Sequence, residues 1–141
     1  MCLAKSSYEV WVSFEDLDPM NVVWHGNYMR YMEKARCHLF AELGYSYKDM
    51  KKDGYAYPIA KMDVKYIKPA KFEDTLLVKT EILSIEPALN IKYFMYNKRT
   101  GEKIFEASTM QIAVNPETGE SIYVPPSGLV RAIGGAVGDE N

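Results

Sequence analysis

The chain has 141 residues, enough for one domain able to bury roughly two-thirds of its unfolded surface. Its 48% hydrophobic, 13% aromatic and 26% charged residues are those of a folded globular protein, excluding collagen-like and disordered classes. Nineteen acids against seventeen bases give a net charge of -2, and the bases are scattered among the acids, which argues against nucleic acid as a partner.

The N-terminal "MCLAKSSYEVWV" lacks the apolar core and small-residue cleavage site of a leader, and no run reaches the roughly 18 apolar residues of a membrane span. The expectation is a cytoplasmic protein with no membrane partner. Cys2 lies near a terminus and Cys37 inside a helical pattern, so both are expected to be free thiols.

Tyr8 to Phe14 alternate, with Tyr8, Val10, Val12 and Phe14 on one face, which predicts a first strand. The loop "DLDPMNVVWHG", Asp16 to Gly26, follows. From Asn27 to Leu43, apolar residues recur at spacings of three and four (Tyr28, Tyr31, Met32, Ala35, Leu39, Leu43) between Gly26 and Gly44, which predicts a long helix. Met29, Cys37, Phe40 and Ala41 lie off that stripe, so cover on several sides is expected. A short helical turn over "SYKDMKKDG" comes next.

Four more strands are predicted: from Tyr55 toward Pro69, Asp74 to Glu86, Ala88 to Asn97 and Glu102 to Asn115. The turns "KRTG" and "NPETGE" join or follow the last two. A frayed tail is expected over about residues 132–141. The order is α+β: one domain over residues 1–141 with a core at about 8–115, its long central helix wrapped by an antiparallel sheet of about five strands. The strand edges point to a homodimer or homotetramer.

The loop before the helix carries the candidate chemistry. Free N–H groups at a helix N-terminus attract oxyanions, and Asp18 is a carboxylate held by Pro19 in an extended conformation. Acyl transfer uses both features. From spacing alone, turn chemistry at Asp16 and Asp18 and a merely polar His25 are the commoner readings. His25 and His38 stand apart from any cluster of ligating residues, so no metal and no cofactor are expected.

"FEDLDPMNVVWHGNYMRYMEKAR", Phe14 to Arg36, resembles the signature of the hot-dog-fold acyl-CoA thioesterases of the 4-hydroxybenzoyl-CoA thioesterase family, through Asp16, Asp18, Val22, Val23, His25, Tyr28, Tyr31, Glu33, Ala35 and Arg36. "MDVKYIKPAKFEDTLLVKTEI" extends the likeness, which covers Tyr8 to Asn115. The resemblance implies a hot-dog fold, dimers that pair their sheets, and thioester hydrolysis between protomers. It makes Asp18 the base or nucleophile and the main chain at His25 the group that polarises the carbonyl, with Asp16 holding the loop. Coenzyme A or phosphopantetheine enters only as part of the substrate, an acyl-CoA or an acyl carrier protein.

The same likeness puts Trp24, Tyr28, Asn21 and Glu33 on the substrate side; Glu33 is also the reserve base, and equally an i, i+3 partner of Arg36. Asn21 replaces the usual glycine and tolerates the same positive φ. Where some relatives carry a basic cluster this chain reads "SIEPALN", leaving Lys65, Lys68, Lys71, Lys92, Lys98 or Arg99 for phosphates. A non-catalytic acyl-binding module is the alternative. A hot-dog hydratase or dehydratase fits less well, because Asp18 and His25 lack that motif's spacing.

Overall fold

Alternating apolar residues give four of the five long strands a buried face, while the edge strand Ile59–Tyr66 stays largely exposed. In the computed structural model, which describes residues 2–139, β1 (Ala4–Trp11) leads through a loop into α1 (Asn27–Leu43) and α2 (Tyr47–Lys52). The strands β2 (Ile59–Tyr66), β3 (Thr75–Ser84), β4 (Leu89–Asn97) and β5 (Lys103–Gln111) follow. A small ribbon, β6 (Ala113–Val114) with β7 (Ser121–Ile122), precedes α3 (Ser127–Asp139). The five long strands form one antiparallel sheet in the order β1-β3-β4-β5-β2.

The buried face of the sheet carries Leu76, Val78 and Ile82, then Ile91, Tyr93 and Met95, then Phe105 and Ala107. Against it α1 turns Tyr28, Tyr31, Met32, Ala35, Leu39 and Phe40, all buried. The helix is bounded as its glycines predict, with Gly44 ending it at φ 77°. Cover on several sides is met in part: α1 packs on β1 and β3, also touches α3, and sets Phe40 against Tyr47 of α2, while Cys37 and Ala41 stay exposed.

Arg36 is buried too. Its Nε donates to the Tyr47 hydroxyl at 2.7 Å and one terminal nitrogen to the Tyr93 hydroxyl at 3.1 Å, while the other pairs with Glu33. Tyr93 is in turn 2.9 Å from the Thr109 hydroxyl, so a polar chain runs from the helix surface through the core to β5. Each of the three Arg36 guanidinium nitrogens thus has an acceptor, as a buried guanidinium requires.

Two boundaries differ from the sequence reading. The first strand begins at Ala4 and ends at Trp11, and Phe14, expected on the buried face, is 74% exposed because the chain leaves the sheet in a 3-10 turn at Phe14–Asp16. The segment expected to fray from residue 132 continues as α3 to Asp139, since Leu129 and Ile133, one helical turn apart, are both buried. Residues 140 and 141 lie outside the described residues. Cys2 and Cys37 are both free.

Candidate active site

Pro19 and Asn21 shape a tight turn between the sheet and α1. The Asp18 N–H donates to the Val22 carbonyl at 2.8 Å, the Asn21 N–H returns to the Asp18 carbonyl at 3.0 Å, and Asn21 takes the left-handed φ of 64°. Asparagine tolerates that region, so the turn survives without glycine. Asp18 Oδ1 accepts the Met20 N–H at 2.8 Å. Among the described residues no donor engages Oδ2.

Asp16 anchors the loop from beneath. It is 2% exposed; its carboxylate pairs with Arg30 and accepts the Tyr31 hydroxyl at 2.8 Å and the Ser13 N–H at 3.2 Å. Its carbonyl accepts the Trp24 N–H at 2.9 Å and the Asn27 side-chain amide at 2.8 Å. Burial pushes the Asp16 carboxyl upward, but the Tyr31, Arg30 and Ser13 donors outweigh it and hold the group below the ordinary aspartate range. A depressed folded value means stability that is fully present above the unfolded value, near pH 4, and is lost as pH falls through the folded one. Thermal melts at neutral and strongly acidic pH should therefore converge in Asp16→Asn relative to the parent; an equal acid loss in both would remove Asp16 from the account.

The loop, the start of α1 and the end of β2 enclose a cleft of about 280 Å³ lined by Asp18, Val22, Val23, His25, Tyr28, Tyr66, Ile67, Lys68 and Pro69. The Tyr28 ring stacks on Phe105, centroids 4.9 Å apart and planes at 5°, and its hydroxyl accepts the Ala70 N–H at 3.1 Å. Among the described residues the N–H groups of His25 and Gly26, which precede the first helical turn, donate to nothing else in the chain. A Cβ on Gly26 would stand 2.3 Å from the Trp24 ring, so the indole closes over the helix start only because residue 26 has no side chain.

Of the residues read from sequence, Asp18, His25 and Tyr28 share this cleft, whereas Asn21 and Trp24 flank it without lining it. Glu33 is not brought there: its exposed carboxylate pairs with Arg36, the helical i, i+3 arrangement. Of the six phosphate candidates only Lys68 reaches the cleft, and it pairs with Glu102. Lys98 pairs with Glu9, and Lys65 and Lys92 line a groove on the outer face of the sheet. Tyr66 is the residue that sequence reasoning missed. Within a strand pattern it read as one more aromatic; its place just before the Pro69–Ala70 bend was the available signal.

Comparisons with known proteins converge. The family model described as the thioesterase-like superfamily matches residues 12–132. YneP of Bacillus subtilis is 32% identical over 114 residues, 80% of this chain and 82% of that one. The acyl-CoA thioester hydrolase YbgC of Escherichia coli is 28% identical over 126 residues, 89% of this chain and 90% of its own. The solved DHNA-CoA thioesterase from Staphylococcus aureus, 29% identical, superimposes with a TM-score of 0.82 over 96% of this chain and 94% of that chain.

Proposed function

The chain belongs to the thioesterase-like superfamily and has its hot-dog fold, and from that premise we propose that it is an acyl-CoA thioesterase with its centre in the Asp18–His25 cleft. One observation carries the reading: Asp18, with a carboxylate oxygen unengaged among the described residues, and His25, with a main-chain N–H likewise unengaged, line the same cleft. Asp18 takes a proton from water while hydroxide attacks the thioester carbon, or attacks that carbon itself to give an acyl–Asp18 anhydride that water then hydrolyses to free acid and carboxylate. The His25 N–H receives the oxyanion. The tetrahedral adduct collapses with cleavage of the C–S bond, and the thiolate leaves to take up a proton. A thioester is activated enough for a weak base to suffice, and a single oxyanion donor contributes on the order of 10² to 10³ in rate.

The domain acts as a homodimer or homotetramer, in the cytoplasm, on an acyl group carried by coenzyme A. The names of relatives such as YbgC favour the free coenzyme over a carrier protein. Among the described residues Lys68 is the one lysine or arginine lining this cleft, which leaves the carrier-protein arm as the comparison to run. A panel of acyl-CoA thioesters graded by length and ring content, run beside the same acyl groups on a carrier protein, tests the assignment by thiol release. Turnover of coenzyme thioesters is expected. Binding without release from any of them would overturn hydrolysis and make the chain an acyl-binding module.

A further inference from the structure

We propose that Tyr66 is a positioning residue: its hydroxyl holds the His25 main chain so that the His25 N–H stays aimed at the substrate carbonyl. The inference rests on the hydrolytic reading of the cleft and assigns a task to a residue which that reading leaves idle. The Tyr66 hydroxyl donates to the His25 carbonyl at 2.9 Å, across 41 positions of sequence. One peptide earlier, the Trp24 carbonyl accepts the Asn27 N–H at 2.9 Å. A peptide unit is planar, so anchoring its carbonyl fixes the orientation of the whole plane. The plane held by Asn27 carries the His25 N–H and the plane held by Tyr66 carries the Gly26 N–H, so the main chain is fixed on both sides of the His25 Cα and the His25 N–H keeps a set direction, with no partner among the described residues.

The Tyr66 hydroxyl is itself delivered by a braced ring. Tyr66 ends β2 opposite Phe105, and the chain just beyond it is tied down where the N–H groups of Ile67 and Lys68 both reach the Ile104 carbonyl, at 3.0 and 3.1 Å. Its ring meets Tyr28 and Phe105 edge-on, each at 5.4 Å between centroids, and meets His25 at 6.5 Å and 89°. Burial raises the phenol above its ordinary range, so it remains a donor through neutral and mildly alkaline pH. Preorganised donors need no reorientation as charge develops, which is where positioning enters the rate.

Tyr66→Phe removes the hydroxyl and keeps the ring. The expected result is a fall of about tenfold in kcat with KM nearly unchanged and the deficit constant across neutral and mildly alkaline pH, the signature of a loss confined to the transition state. A second measurement reads the carbonyl directly. With an acyl-CoA bound to Asp18→Asn, the thioester C=O stretch by difference infrared spectroscopy should lie below its solution value, and adding Tyr66→Phe should move it back up. Both measurements are made below the melting transition, so a destabilised variant still reports. Equal kcat in variant and parent, or a loss confined to KM with an unmoved carbonyl band, overturns the proposal. If the parent releases no thiol from any acyl-CoA, the hydrolytic reading fails, and the infrared comparison alone decides Tyr66.

Discussion

Asp18→Asn should lower kcat by about 10² to 10⁴-fold, the range removed with a general base, while leaving the fold intact. The two halves of that expectation come from different oxygens. Oδ1 accepts the Met20 N–H and closes the turn, a task an asparagine carbonyl performs equally well. Oδ2 has no donor among the described residues, and replacing it with an amide removes the proton acceptor or nucleophile. Thiol release by the purified variant, compared with its thermal midpoint, separates chemistry from stability. A variant with parental kcat would take Asp18 out of the mechanism. One that loses activity together with several degrees of midpoint would make Asp18 a structural residue of the turn.

The parts of this molecule governed by local periodicity were legible before any coordinates. Spacing and bracketing glycines located α1 from Asn27 to Leu43, and alternation located β3, β4 and β5 to within a few residues. What escaped was set by partners distant in sequence. Arg36 read as the surface mate of Glu33, because Tyr47 and Tyr93, which draw it into the core, lie 11 and 57 residues away. The early start of β1 at Ala4 had no apolar signal, since "AKSS" is held mainly by backbone pairing with Lys79–Ile82. Helix α3 was hidden by the glycines of "SGLVRAIGGAVGD", which count against a helix until Leu129 and Ile133 are seen to be buried.

The site divides along the same line. That Asp18 and His25 share one cleft, with Asp16 bonded beneath the loop, was legible through their motif, because those positions lie in one short loop. The contribution of β2 was not, since strand patterning reports which face is apolar and says nothing about which ring ends beside a helix N-terminus. Glu33 carried two readings, substrate side and i, i+3 partner of Arg36, and the ion pair is the one seen within this chain.

Met62→Lys should halve the solution mass and lower activity per chain by roughly a hundredfold, the scale of loss expected when a site is misplaced by about an ångström. The argument begins from β2 as an edge strand. Met62, Val64 and Tyr66 stand opposite Thr109, Ala107 and Phe105, residues of the buried face, yet Met62 is 43% and Tyr66 49% exposed because α1 covers the other end of the sheet. An unpaired edge with an apolar row is a template for another strand, and natural proteins cover such edges. A second copy would do so without like-charge contact: antiparallel pairing about a two-fold axis at Val64 would set position 63 against position 65 and position 62 against position 66, an acid against a base and a methionine against a tyrosine. Tyr66, Ile67 and Lys68 line the cleft as well as continuing this edge, so covering the edge would bear on residues of the cleft. A lysine at position 62 puts an unpaired charge into that seam. Ala41→Lys, on the exposed face of α1, is the control expected to keep both mass and activity. Light scattering and thiol release on the same samples decide: a parent that is already monomeric, or a monomeric Met62→Lys that keeps its rate, would detach the β2 edge from the reaction.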